Sequence, residues 1–115
     1  MRQIKFRSWD KHKNKMVDNV VGFGFYSDRK ELLKQFDYMQ FTNIKDVNKK
    51  EIYLGDIVEI PIQNEFGSVS WEKGKIGYVG SGFVAIDLKT GTRTIEVDSR
   101  MKVVGNLYEN PELLK

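Results

Sequence analysis

Between residues 66 and 104 the chain repeats one pattern, in which short runs of alternating polar and apolar residues are separated by glycine-containing turns. Alternation with a period of two indicates strands that bury a single face. We expect turns at Lys73-Gly74, at Gly80-Ser81-Gly82 and at Lys89-Thr90-Gly91. Short strands that follow one another through tight turns predict an all-β (mainly β) protein, namely a small SH3-like or related β-barrel.

The same alternation predicts which side chains of this region face the core. Side chains two residues apart project from one face of a strand. Val69 and Trp71 are therefore expected to face inward together, and Ile76 and Tyr78 to share one face. In the next strand the positions expected to face inward are Val84, Ile86 and Leu88.

Residues 1–25 predict a β-hairpin that wraps the barrel. Ile4, Phe6 and Ser8 alternate with basic residues, which indicates a strand with one buried face. A polar turn follows, and a second strand over residues 16–25 would pair with the first in the antiparallel direction.

A short helical insert is predicted after the hairpin. Ser27 is suited to cap it, acidic residues follow near its start, and it would end at Phe36. Leu32, Leu33 and Phe36 would share a face. A helix of this length needs packing against the rest of the protein to be stable.

Residues 38–60 read as a strand, a polar turn and a second strand. Met39 and Phe41 alternate with polar residues, which indicates a half-buried strand. The turn over residues 46–50 contains Asp and Asn, and the pair Gly55-Asp56 precedes a β-branched run. We expect the chain to turn a corner at this pair and to enter a core strand.

This stretch resembles the YopX-like proteins, small proteins that are encoded by phages and prophages. Further similarity lies at residues 2–10 and 104–114, so the resemblance implies one YopX-like domain over residues 1–115. The chain departs from the family pattern at Asn43, where glycine is usual, and again at Lys49. The family has no established activity, so the resemblance implies a fold and a source but no reaction. The matching residues of the central stretch are Met39, Gln40, Phe41, Thr42, Lys45, Asp46, Glu51, Ile52, Tyr53, Gly55, Asp56, Ile57 and Val58.

Residues 105–114 are expected to be structural and to dock against residues 38–60. Asn110 and Pro111 are suited to begin a short helix, and Leu113 and Leu114 would then be buried as a plug. The family-like residues to which we assign a structural role are Gly55, Asp56, Gly105, Asn106, Tyr108 and Pro111.

Few residues of the chain suit metal or acid–base chemistry. There is no cysteine, and His12 is the only histidine and lies in a lysine-rich turn, where we expect it to be solvated. Asp56 and Glu109 could form a carboxylate pair for a metal ion or for acid–base work. We prefer the interpretation in which Asp46 and Asp56 accept hydrogen bonds from turn amides, and we expect no cofactor.

The basic residues are concentrated at the N-terminus. The chain carries a net charge of +3, yet residues 1–15 hold six Lys or Arg and a single acidic residue. Such a segment can attract an acidic partner, and interleaved aromatic residues can stack on bases, although lysine on an edge strand also prevents unwanted pairing. The candidate binding residues are Arg2, Lys5, Arg7, Trp9, Lys11, Lys13 and Tyr26.

The functional hypothesis is a phage- or prophage-encoded accessory protein that binds a host or phage protein and is not an enzyme. One alternative is a small barrel that binds nucleic acid, and a second is a carboxylate-dependent enzyme. The sequence has no apolar run that could span a membrane and no signal peptide, so we expect it in the cytoplasm of the host cell. An unpaired edge strand would favour a homo-oligomer.

Overall fold

In the computed structural model, the described residues are 5–20, 36–80 and 82–114. The predicted helical insert therefore lies outside the described residues, apart from Phe36, which begins a strand. Arg2 and Tyr26 lie outside them as well. Within the described residues there are nine strands and one 3-10 helix: β1 (Phe6–Asp10), β2 (Lys15–Val20), β3 (Phe36–Lys45), β4 (Glu51–Tyr53), β5 (Asp56–Gln63), β6 (Val69–Val79), β7 (Gly82–Asp87), β8 (Thr94–Glu96), β9 (Lys102–Asn106) and the C-terminal helix (Pro111–Leu114).

The strands form two antiparallel sheets, which confirms the all-β prediction. The four-stranded sheet has the order β2-β1-β3-β4, and the five-stranded sheet has the order β8-β7-β6-β5-β9. One of them curves into a half-barrel. The antiparallel pairing of β1 with β2 also confirms the N-terminal hairpin over the described residues.

The chain crosses from one sheet to the other at Leu54 and Gly55, between β4 and β5. Gly55 has a φ of 91°, in the left-handed region that glycine adopts at little cost. Directly after this corner, Ile57 and Val58 are completely buried. The predicted corner before a core strand is therefore confirmed.

The buried apolar side chains form two clusters. Met39, Phe41 and Tyr53 form the cluster of the four-stranded sheet, and Trp9 packs against them. The alternation that predicted Met39 and Phe41 as buried is thus confirmed. The second cluster is larger and joins Ile52 of β4 to residues of the five-stranded sheet and its loops. Its members are Ile52, Val58, Ile60, Ile76, Ala85, Val97, Met101 and Val103.

The turn predicted at Lys73-Gly74 is wrong, because β6 continues straight through both residues. A Cβ atom at Gly74 would lie 2.8 Å from Cδ1 of Ile60 and 3.2 Å from the carbonyl oxygen of Ile86. The glycine therefore marks a close approach of neighbouring strands instead of a turn. The turns predicted at Gly80 and Gly91 are confirmed, with φ of 62° and 73°.

Several predictions of the inward face of β6 and β7 are wrong. Val69 and Trp71, which we predicted to face inward, are 53% and 51% exposed. Ile76 and Tyr78 lie on one face of β6 as predicted, with Ile76 buried and Tyr78 near the end of the strand 56% exposed. In β7 the fully buried residue is Ala85. The residues that we predicted to face inward there, Val84, Ile86 and Leu88, are only half-buried.

The exposure of Val69 and Trp71 has a physical reason, which is the length of the neighbouring strands. β7 pairs with β6 only from Gly74 onwards, and β9 pairs with β5 only as far as Glu59. The first half of β6 therefore extends beyond the core with β5 as its one partner strand in the described structure. Residues alternate there as in a buried strand, but the strands on either side do not reach that far.

Candidate functional site

The predicted basic surface of the N-terminal hairpin is largely engaged within the protein. Nζ of Lys5 lies 2.7 Å from a carboxylate oxygen of Glu51, and Nζ of Lys11 lies 3.3 Å from one of Asp37. The ring of Trp9 stacks on that of Tyr108 at a centroid distance of 5.5 Å. Lys13 and the neighbouring His12 are exposed in the hairpin turn, as predicted for His12.

Arg7 lies inside the protein, so the prediction that it projects from the polar face of its strand is wrong. Its guanidinium group forms an ion pair with the carboxylate of Asp56 and lies over the ring of Tyr53, 4.5 Å from the centroid. The backbone N–H of Tyr53 donates to the same carboxylate at 2.7 Å. Burial raises the pKa of Asp56, although Arg7 and this N–H act in the opposite direction.

Asp46 organises the turn between β3 and β4. Its Oδ1 accepts hydrogen bonds from the backbone N–H groups of Asn48 and Lys50, and its Oδ2 accepts one from Val103 on β9. Burial alone would raise the pKa of Asp46, but the N–H groups together outweigh it and the pKa is lowered. The predicted role as an acceptor of turn amides is confirmed for Asp46, and for Asp56 through Tyr53.

The family-like residues at the C-terminus hold the last turn against β5. Oδ1 of Asn106 accepts hydrogen bonds from the N–H groups of Tyr108 and Glu109, and its amide donates to the Glu109 carboxylate at 2.7 Å. A Cβ atom at Gly105 would lie 2.6 Å from Oδ1 of Asn110. Glu109 is thus engaged in a turn, and no group of three potential metal ligands occurs among the described residues.

The predicted docking of this segment on residues 38–60 is confirmed for its first part. The N–H of Leu107 donates to the carbonyl oxygen of Gly55 at 3.1 Å, and β9 pairs with β5 around a bulge next to Gly105. Pro111 begins the 3-10 helix, as predicted. The predicted plug is wrong, because Leu113 is only half-buried and Leu114 is exposed.

The first half of β6 and the second half of β5 form a two-stranded ribbon over residues 61–71, which we call the arm. The side chain of Asn64 builds its tip, because Oδ1 accepts hydrogen bonds from the N–H groups of Phe66 and Ser68, each at 2.9 Å. Gly67 has a φ of 86° there. The arm is exposed from Gln63 to Trp71.

The arm presents apolar side chains to solvent. Phe66 at the tip is 85% exposed, and the half-exposed Val69 and Trp71 project from one face, which they share with Pro61. Next to Trp71 lies a groove of about 640 Å³, which we call the C-terminal groove. Its lining consists of Trp71, Glu72, Lys73, Asp87, Leu88, Lys89, Glu112, Leu113 and Leu114.

Another groove, of about 720 Å³, lies between residues 43–49 and 97–99. The buried carboxylate in its lining is that of Asp46, whose oxygens are occupied by backbone N–H groups. We therefore place the candidate site at the arm and the C-terminal groove. A sequence signal for the arm exists in the turn formers Asn64 and Gly67, which separate two alternating runs.

A family model described as YopX protein matches residues 22–115. The chain is also similar in structure to protein EF1440 from Enterococcus faecalis, with a TM-score of 0.64, 20% sequence identity and coverage of 100% of both chains. At this identity the similarity concerns the fold. No protein in a curated set matches the chain. None of the helices among the described residues has the length and apolar character needed to cross a membrane.

Proposed function

The chain belongs to the YopX family, and on this premise we propose that it is a phage- or prophage-encoded binding module that acts without catalysis, in the host cytoplasm. The arm is the surface with which it binds another protein chain. The observation that carries this proposal is the exposure of Phe66, Val69 and Trp71 together on one projecting ribbon.

Exposed apolar side chains on the arm support a role in binding more than a role in stability. Large aromatic residues dominate the binding energy of many protein interfaces, and contiguous apolar surface on a folded protein commonly marks such an interface. The tip itself does not need an apolar residue, since Asn64 shapes the turn through backbone N–H groups. An exposed phenylalanine at this position is therefore best explained by a partner.

The alternatives have less support. In the enzyme hypothesis Asp56 and Glu109 would be free to act, but Asp56 is paired with Arg7 and Glu109 binds the amide of Asn106. In the nucleic-acid hypothesis the N-terminal basic residues would face solvent, but Lys5 is paired with Glu51.

The proposed phage or prophage origin is tested by the gene neighbourhood, which should consist of phage genes.

A site-specific photocrosslinker tests the binding role of the arm. We would place a photoreactive phenylalanine analogue at position 66 in the full chain, produce it in bacterial cells and illuminate them. A control chain carries the analogue at Tyr78, another exposed aromatic position, at the far end of β6. We expect protein adducts from position 66 that are lost when Trp71→Lys is added. Equal adduct yields from positions 66 and 78 would contradict the proposal.

A further inference from the structure

The free edge of the arm is complementary to itself, and we propose that it pairs with the same edge of a second copy of this chain to form a symmetric dimer. This inference rests on the proposed function, since it names the partner of the same surface. It follows from three features: the direction of the backbone groups in β6, the residues that a two-fold axis brings opposite one another, and the position of the C-terminal groove.

Backbone groups of β6 alternate between its two sides. The carbonyl oxygen of Ile76 accepts a hydrogen bond from Gly55, on the β5 side, and that of Lys73 accepts one from Leu88, at the end of β7. By this alternation the N–H and C=O groups of Val69 and Trp71 point away from β5. β7 does not extend alongside them, and within the described part of the chain they have no hydrogen-bond partner. Such an edge is a template for another strand.

A two-fold axis at Ser70 pairs this edge with itself in the antiparallel direction. Val69 then lies opposite the partner's Trp71, and Trp71 lies opposite the partner's Val69. Both are hydrogen-bonded pairs, so the contact forms four backbone hydrogen bonds. Aromatic and β-branched residues that face each other across strands are a favourable combination.

This register also avoids conflicts that another register would create. Glu72 lies opposite the partner's Ser68, so that no like charges face each other. An axis at Trp71 would instead place the partner's Val69 opposite Lys73, whose carbonyl group is already bonded to Leu88. The axis at Ser70 therefore uses only the part of β6 that β7 leaves free.

The C-terminal groove lies where the tip of the partner's arm arrives. In this dimer the partner's β6 extends the line of β7 along the same edge of β6. Ser68 of the partner subunit then lies beside Glu72, so the tip of the partner's arm reaches Leu88 at the C-terminal groove. Phe66 is two residues beyond Ser68 and is the most exposed apolar residue of the described structure. The groove presents apolar side chains there, including Leu113 and Leu114. One symmetric contact would thus cover both the arm and the groove.

Light scattering of the purified full chain after size-exclusion chromatography tests the dimer. We expect the mass to rise from 13.4 kDa towards twice that value as the concentration rises. Val69→Lys should weaken the dimer at least about tenfold, because the lysine would lie in the centre of the apolar strip. Val79→Lys is the matched control, since Val79 lies on the same strand with nearly the same exposure and should leave the dimer unchanged.

A second variant, Phe66→Ser, tests the groove contact without any risk to folding, because this side chain is almost fully exposed. It should also shift the equilibrium towards the monomer. A monomer at every concentration, or a dimer that Val69→Lys and Phe66→Ser leave intact, overturns the inference. If the chain is a monomer but the crosslinker at position 66 captures a different protein, the inference fails while the proposed function stands. If the chain is a monomer and no adduct forms, both fail.

Discussion

Arg7 on β1 and Asp56 on β5 form an ion pair that joins the two sheets. The residues are 7% and 1% exposed, and they are 49 positions apart in the sequence. Asp56 directly follows the corner at which the chain changes sheets. The pair therefore holds the hairpin against the beginning of the second sheet, in an environment where neither charge can be solvated.

Replacement of Arg7 by methionine should destabilise the protein strongly. The Asp56 carboxylate would remain buried without its counter-charge, and such a loss costs about 3–5 kcal/mol of the free energy of unfolding. Urea denaturation at neutral pH measures the change. The double variant Arg7→Met/Asp56→Asn should lose clearly less stability than the single variant Arg7→Met, because no charge stays buried without a partner.

The control for this prediction is Lys11→Met, which breaks the partly exposed pair with Asp37. Exposed pairs contribute about 0–1 kcal/mol, so this variant should stay close to the parent protein. A similar loss of stability for Lys11→Met and Arg7→Met would show that the buried Arg7 pair contributes no more than an exposed pair.

Asp46→Asn should reduce stability at neutral pH but not in acid. The pKa of Asp46 is lowered in the folded protein, so its contribution is present above the ordinary aspartate pKa of about 3.9 and is lost as the pH falls through the folded value. We expect a loss of about 1–3 kcal/mol at pH 7, since three N–H groups lose a charged acceptor. Denaturation curves at several pH values between 7 and 2 measure the difference.

The sign for Asp56 is opposite, because burial raises its pKa in the folded protein. The charged form of Asp56 is therefore disfavoured by folding, and the contribution of Asp56 to stability improves as the pH falls.

For Asp46, the contradicting outcome is a difference in stability between the parent protein and Asp46→Asn that persists unchanged in strong acid.

Lys49→Gly should stabilise the protein slightly. Lys49 has a φ of 67°, and the left-handed conformation costs a residue other than glycine about 1–2 kcal/mol. Glycine loses about 0.5–1 kcal/mol more backbone entropy on folding, so the net gain is about 0.5 kcal/mol. The neighbouring Lys50→Gly is the control and should destabilise, since Lys50 does not have a positive φ. Thermal unfolding that orders the two variants the other way would contradict this explanation.

Two truncations separate the docked part of the C-terminus from the exposed part. Removal of the residues after Asn110 should cost only about 1 kcal/mol, because Leu113 is half-buried and Leu114 is exposed. Removal of the residues after Gly105 should lower the melting temperature markedly, because it also removes Tyr108 from its stack on Trp9. Equal melting temperatures for the two truncated chains would mean that residues 106–110 do not close the core.

Local residue chemistry was sufficient to predict much of the fold. The turns at Gly80 and Gly91, the corner at Gly55 and the start of the 3-10 helix at Pro111 all depend on the backbone preferences of one or two residues. Two departures from the family pattern, Asn43 and Lys49, have positive φ. The family pattern has glycine at both positions because the backbone there is left-handed, a conformation that glycine adopts at little cost.

The candidate site could not be predicted in the same way, because it depends on where neighbouring strands end. Trp71 and Val69 alternate with polar residues as in a buried strand, but β7 and β9 stop short of them and the side chains remain exposed. Arg7 has the sequence context of a surface residue, yet Asp56 reaches it from the other sheet and makes its burial favourable. Alternation along a strand thus determines which side chains share a face, whereas contacts between distant segments decide whether that face is covered.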